Sequence, residues 1–142
     1  MKESSKRLTG KLVLMIQDDG VLADYIGAAL CDAGAYIIGP ARTVAEARAL
    51  LPRLRNKPVA VVVSTKLFAA DDGALRNGIG RLAIPVLIIG DGNGRPLLPL
   101  PRHDVLTVPF ASHQIVDRIC SLVGAVTIAQ LRARTGPVLQ GH

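Results

Sequence analysis

Five short apolar runs mark the sequence at regular intervals, each bounded by polar residues, glycine or proline. They are LVLMI (12–16), YII (36–38), VAVVV (59–63), VLII (86–89) and VLTV (105–108). Three of them are almost continuously apolar, which is typical of strands covered on both faces. The pattern therefore predicts five strands, with the middle of the sheet fully buried.

Segments with the period of an α-helix lie between these runs. The first repeats apolar residues on one face of 22–30, and Gly34 predicts its end. The second opens with a capping box, Thr43-Val-Ala-Glu46. The side chains of Thr43 and Glu46 can each accept a hydrogen bond from the backbone N–H of the other residue. Because strands alternate with helices, the sequence predicts βαβ units: parallel strands with helices on both faces of the sheet.

The later helices are less regular. The third, expected at about 72–82, is interrupted by three glycines. The fourth interval, GDGNGRPLLPLPR (90–102), holds three glycines and three prolines, so we expect a loop or one helical turn there. The last helix is expected from Ser112 to about Arg134, with apolar residues along one face.

The 142 residues are enough for one domain with its own core. We expect that domain at 10–134, with loose tails at 1–9 and 135–142. Cys31 and Cys120 are interpreted as small buried hydrophobic residues in a reducing cytoplasm. No apolar stretch reaches the length of a membrane span, and the first apolar run is too short for a signal peptide, so we expect a cytoplasmic protein without membrane contact.

Charge changes this picture little. The chain carries a formal net charge of +6, which makes nucleic acid or an acidic molecule worth considering as a partner. The basic residues are spread along the sequence, however, and no basic patch is interleaved with aromatic residues. The composition therefore does not favour a nucleic-acid partner.

Candidate chemistry lies where the strand order reverses. In an open parallel sheet ordered 2-1-3-4-5, ligands bind between the carboxyl ends of the first and third strands. The first strand is followed by Asp18 and Asp19, and the third by Ser64, Thr65 and Lys66. Paired carboxylates suggest a hard cation such as Mg²⁺. The alternative is that one of the two aspartates caps the following helix.

Five segments, in this order and spacing, resemble the receiver domain of bacterial two-component response regulators. They are LVLMIQDDGVLADYIGAAL, GAYIIGPARTVAEARALL, KPVAVVVSTKLF, IPVLIIGDG and VLTVPF, within about residues 10–124. The resemblance implies a three-layer α/β, flavodoxin-like fold with a five-stranded parallel sheet in the order 2-1-3-4-5. It is greatest to stand-alone receivers in which a short proline-containing loop shortens or replaces the fourth helix.

The resemblance also assigns positions in the site. The family's metal-binding acidic pair matches Asp18 and Asp19, and its phosphoacceptor aspartate falls on Ser64. The residue whose carbonyl completes the metal site falls on Lys66. Its ammonium suggests a different arrangement, in which Lys66 folds back between the two aspartates as an internal cation. The alternative is a solvated lysine on the following loop.

Three reactive positions of the family are lost. The phosphoacceptor is Ser64, the switch serine or threonine falls on Gly90, and the lysine that precedes a proline after the fifth strand falls on Val108. The aromatic switch position lies near Leu106, which is not aromatic. A serine without a base is a poor nucleophile, so we expect no phosphorylation by the family mechanism. With one metal carboxylate gone, we expect no cofactor beyond weak or vestigial Mg²⁺.

These expectations favour a degenerate, stand-alone receiver that acts in a two-component phosphorelay through protein contacts and is not an enzyme. An enzyme with Ser64 as nucleophile is disfavoured, because neither GxSxG nor an obvious base is present. The alternative function is a small-ligand domain that binds an anion or nucleotide in the crevice between strands 1 and 3. Apolar residues late in the last helix, at 126, 128 and 131, would favour a homodimer or a partner helix, unless they pack on the N-terminal segment.

Overall fold

The computed structural model describes residues 7–70, 73–90 and 103–124. Its strands are β1 (Leu12–Ile16), β2 (Tyr36–Ala41), β3 (Ala60–Ser64), β4 (Val86–Gly90) and β5 (His103–Thr107). Its helices are α1 (Gly20–Asp32), α2 (Val44–Leu50), α3 (Thr65–Ala70), α4 (Ala74–Leu82) and α5 (112–124). A 3₁₀ turn, Leu51–Arg53, continues α2. All strand pairs are parallel, in the order β2-β1-β3-β4-β5, so the predicted sheet is confirmed.

The core lies on both faces of the inner strands. Successive side chains of β3 point to opposite faces, so Val62 packs on the side of α1 and α5, while Val61 and Val63 pack on the side of α2 and α4. All three valines are fully buried. A strand covered on both faces needs no polar alternation, and this explains the continuous apolar runs.

The ends of the first two helices follow the predicted signals. Beyond α1, Gly34 has φ of +94°, a backbone conformation that residues other than glycine rarely adopt. At α2, Thr43 Oγ1 accepts the N–H of Glu46 at 3.0 Å. The Glu46 carboxylate accepts the N–H of Arg42 at 2.8 Å, one residue before the partner expected for a capping box.

The region after β3 differs from the prediction. The alternative for Lys66 was a solvated lysine on a loop, but α3 begins at Thr65, directly after β3, and its Leu67 and Phe68 are buried. The third predicted helix, about 72–82, corresponds to α4. The proposed loop at 90–102 lies, apart from Gly90, outside the described residues. So does the last helix beyond residue 124.

Part of the predicted N-terminal tail is packed. Leu8 is 2% exposed, and its N–H donates to the Ala33 carbonyl at 2.8 Å. Leu8 joins the core beneath α1 and α5, so the ordered chain extends to at least residue 7, before the expected boundary at residue 10. Residues 1–6 and 135–142 lie outside the described part of the chain.

The cysteines are less buried than expected. Cys31 is exposed, because it follows the buried Leu30 and the helix turns it away from the sheet. Cys120 on α5 is partly buried, and this burial raises the pKa of its thiol. Within the described chain, none of the helices combines the length and the apolar character that crossing a bilayer requires.

Candidate functional site

The carboxyl ends of β1, β3 and β4 form an open crevice of about 440 Å³ together with the first residue after β5. Six residues singled out from the sequence line this crevice: Asp18, Asp19, Ser64, Lys66, Gly90 and Val108. Parallel strands bring these distant positions together because their carboxyl ends share one edge. The sequence therefore located the crevice, although the role of each residue remains a separate question.

The two aspartates have different surroundings. Asp19 lies at the N-cap of α1, and its Oδ1 accepts the N–H of Leu22 at 3.0 Å. Asp18 Oδ2 lies 3.7 Å from Lys66 Nζ, and the Asp18 carbonyl accepts the Arg42 guanidinium at 2.9 Å. The capping alternative thus describes Asp19.

Lys66 lies beside one aspartate and not between the two. Its side chain is 82% exposed, whereas that of Asp18 is 26% exposed. The residue belongs to the first turn of α3 and not to a loop. The contact brings a positive charge to Asp18 at a distance and exposure typical of a weak surface ion pair.

Ser64 is the last residue of β3 and is only 3% exposed. Its Oγ accepts the N–H of Leu67 at 3.0 Å, which is the hydrogen bond of an N-cap residue. Within the described ranges, no hydrogen bond joins Ser64 to a carboxylate or a histidine. The hydroxyl therefore caps α3, and in the described part of the chain no base is hydrogen-bonded to it that could activate it for attack.

Gly90 ends β4 in a space that is already filled. A Cβ atom built on Gly90 would lie 2.1 Å from Thr65 Oγ1 and 2.8 Å from Thr65 Cβ. The Thr65 hydroxyl donates to the Ile89 carbonyl at 3.1 Å. A hydroxyl thus stands at the end of β4 although β4 does not supply it. The sequence named Thr65 but contained no signal for this packing.

Val108 presents an apolar side chain where the resemblance places a lysine. Its N–H donates to the Gly90 carbonyl at 2.8 Å, and its side chain packs on the core beneath α1 and α5. Leu106, near the aromatic switch position, is 3% exposed. The segment after β5 is tied to α1 through Tyr25, whose hydroxyl donates to the Phe110 carbonyl at 3.2 Å.

Gln17 is a site residue whose role sequence reasoning did not identify. It follows β1, is 1% exposed, and lines the crevice. Its Oε1 accepts the N–H of Asp19 at 3.1 Å, while its buried Nε2 has no hydrogen-bond partner among the described residues. The available signal was a polar residue that directly follows a fully apolar strand, since a buried amide needs partners.

These residues fit Mg²⁺ poorly. Among the described residues, two carboxylates line the crevice. Asp19 accepts a helix N–H, and Asp18 already has an ammonium nearby. Ser64 presents a hydroxyl, already used as a cap, where a third anionic ligand would help. Within 7–70, 73–90 and 103–124, no three histidine, cysteine or acidic side chains come close enough to hold a metal ion.

Comparisons with known proteins extend this description. No family model and no curated protein matches the chain. Solved structures do match. The response regulator PhyR from Brucella abortus is 24% identical with a TM-score of 0.69, over 90% of this chain and 54% of that one. A mutant of the anti-anti-sigma factor PhyR from Bartonella quintana is 22% identical, with a TM-score of 0.66, over 88% and 52%.

A third similar structure is a response regulator receiver protein from Sinorhizobium medicae, 21% identical with a TM-score of 0.66. The match covers 81% of this chain and 95% of that one, whereas the chain spans about half the length of the two PhyR structures. The strand order and these similarities agree with the expected architecture. The chain has the fold of the receiver domains of response regulators.

Proposed function

We propose that this protein is a receiver-like signalling module of a two-component system that acts in the cytoplasm through protein contacts and is not switched by phosphorylation. The observation that carries the proposal is the use of Ser64 as a buried cap of α3. The hydroxyl is almost fully buried, and among the described residues no carboxylate or histidine is hydrogen-bonded to it, so it lacks the base that a serine nucleophile needs.

The packing at Gly90 supports the same proposal. In the family, a side chain at this position is expected to respond to the phosphoryl group. Here the Thr65 side chain fills the corresponding space and is held by the Ile89 carbonyl. Val108 offers no charge to a phosphoryl group. A binding event in the crevice would therefore find no movable hydroxyl and no lysine at these two positions.

The proposal is limited to the receiver-like part of the similar proteins. Bartonella quintana PhyR is named an anti-anti-sigma factor, and the chain matches about half of it. For this chain we propose a role in signalling through a protein partner, without assigning that specific role. A homodimer through the last helix remains a prediction, because the apolar positions on which it rests, 126, 128 and 131, lie outside the described residues.

The test is incubation with acetyl phosphate and Mg²⁺, followed by intact mass spectrometry. We expect no phosphoryl adduct on the wild-type chain. A receiver of known activity, treated in parallel, verifies the reagent, and the Ser64→Asp/Val108→Lys variant asks whether two family residues restore labelling. A stable adduct on the wild-type chain that is absent from Ser64→Ala would refute the proposal.

Gln17 favours a second candidate function, the binding of a small anion in the crevice. A buried amide N–H without a partner is costly, and an acceptor atom of a ligand could satisfy it. Melting temperatures measured with phosphate and a panel of nucleotides test this candidate. Binding predicts a rise that depends on ligand concentration and is lost in Gln17→Leu. An unchanged melting temperature across the panel leaves only the protein-contact function.

A further inference from the structure

The face formed by α2, α4 and the chain after α2 carries an excess of positive charge. Residues 44–58 and 74–82 contain six basic residues and a single acidic one, Glu46. The whole chain has a formal net charge of +6. Most of the excess positive charge is therefore concentrated on these two segments, although in the sequence it looked evenly spread.

A groove of about 370 Å³ lies between α2 and α4 on this face. Leu51, Gly78 and Leu82 contribute apolar or small surface, and the exposed Arg48 and Arg81 also line it. Gly78 allows the close approach of the two elements, because a Cβ atom there would lie 2.7 Å from Leu51 Cδ1. The groove thus combines an apolar surface with two guanidinium groups.

The charges beside the groove are not neutralised within the described chain. The ion pairs found among the described residues lie elsewhere and join Arg7 to Asp117, Lys66 to Asp18 and Arg118 to Asp104. No such pair involves the following residues of the face: Arg48, Arg53, Arg55, Lys57 and Arg81. Glu46, the acidic residue of α2, accepts the Arg42 N–H. Partner carboxylates could therefore pair with guanidinium groups that have no ion pair among the described residues.

The chain itself is a poor source of such carboxylates. Residues 1–6, 91–102 and 125–142 each contain more basic than acidic residues, and the pair Asp71-Asp72 is too short to fill a groove. A second copy carries the same positive excess, which opposes self-association through this face. Charge complementarity therefore points to a different protein.

We propose that the α2–α4 groove docks an acidic segment of a partner protein. An apolar side chain of the segment contacts Leu51 and Leu82, and flanking carboxylates pair with Arg48 and Arg81. The proposal rests on the protein-contact function given above and assigns its surface. A nucleic acid fits less well, because none of the residues lining the groove is aromatic and could stack on a base.

The experiment uses the full chain and fluorescent peptides. One peptide repeats Leu and Glu at helical spacing; a matched peptide has Ser in place of each Leu and the same charge. Fluorescence anisotropy measures both affinities at physiological ionic strength. We expect the Leu peptide to bind about tenfold more tightly, because only it places apolar surface in the groove. A single-stranded oligonucleotide of equal charge should compete poorly.

Charge reversals test the location. Arg48→Glu/Arg81→Glu should weaken the Leu peptide by about tenfold or more, since it removes both pairs and adds repulsion. Arg53→Glu/Arg55→Glu makes the same change in net charge at exposed residues that do not line the groove, and it should weaken binding of the Leu peptide by less than about threefold. All four residues are exposed, and circular dichroism verifies folding.

Equal losses in the two double variants, equal binding of the Leu and Ser peptides, or stronger binding of the oligonucleotide would each overturn the docking proposal. None of these outcomes bears on whether Ser64 accepts a phosphoryl group, which the mass measurement decides. The two proposals can therefore fail separately.

Discussion

The crevice and the α2–α4 face both concentrate charged and polar groups, but they satisfy them differently. In the crevice, Asp19 and Ser64 accept helix N–H groups, Thr65 bonds the Ile89 carbonyl, and Lys66 lies beside Asp18. On the face, Arg48 and Arg81 line an apolar groove without an acidic partner among the described residues. The crevice uses most of its polar groups internally, whereas the face leaves its charges for another molecule.

This difference indicates that the interaction site of the protein lies on the α2–α4 face. A receiver-type fold directs attention to the strand ends, where a phosphoryl group would act. Here those strand ends are stabilised by their own side chains, with the Gln17 amide as the exception. The α2–α4 groove is the more informative feature, because exposed apolar surface marks interaction sites and its two arginines have no acidic partner among the described residues.

The largest expected effect tests whether Thr65 packs tightly against Gly90 at the end of β4. Gly90→Ala places a Cβ 2.1 Å from Thr65 Oγ1, so the strand end or α3 must move. Overpacking of this kind costs about 1 to 3 kcal/mol of unfolding free energy. Urea denaturation followed by circular dichroism measures it.

The matched variant removes the obstacle. Thr65→Ala/Gly90→Ala should recover part of the loss, because Oγ1 is gone while the Thr65 Cβ position, at 2.8 Å, is still crowded. If the two substitutions simply add, Thr65 does not fill the space at Gly90, and the close packing inferred at the end of β4 is wrong.

The sheet was predictable from the sequence because its signals are local and repeated. Runs such as VAVVV identify strands covered on both faces, and Gly34 and Thr43 mark helix ends by their own chemistry. The crevice was also predictable as a place, since strand order fixes which carboxyl ends meet. These inferences need no knowledge of which side chains touch.

What could not be predicted depends on contacts between distant residues. Thr65 and Gly90 lie 25 positions apart, and their mutual packing leaves no trace in either segment alone. The start of α3 at Thr65 depends on how Ser64 is oriented at the end of a buried strand. The basic face arises because α4 packs against α2, which brings Arg81 to the groove that Arg48 lines.

A smaller effect tests whether the face repels itself. Arg48→Gln/Arg81→Gln removes two of its six positive charges and keeps good helix formers. We expect stability at low ionic strength to rise by about 0.5 kcal/mol, and the gain to vanish in high salt, because screening then removes the repulsion. Denaturation at two salt concentrations measures it.

The control for this measurement has the opposite sign. Arg118→Gln breaks an ion pair with Asp104 whose N–O distance is 3.0 Å, so it should lower stability at low salt. A similar loss in Arg48→Gln/Arg81→Gln would mean that those arginines already have partners, and the contrast between the two regions would fail.

The smallest effect concerns Lys66, the weakest of the crevice contacts. Its Nζ is 3.7 Å from Asp18 Oδ2 and its side chain is 82% exposed, so Lys66→Ala should change stability by less than about 0.5 kcal/mol. Mg²⁺ affinity, measured by isothermal titration calorimetry, is the sharper readout. If the ammonium neutralises Asp18, its removal leaves a freer carboxylate and Mg²⁺ binding strengthens. Unchanged Mg²⁺ binding in both Lys66→Ala and Lys66→Met would show that Lys66 is a solvated side chain. The Asp18 carboxylate would then have no internal cation, and the crevice would neutralise less of its own charge.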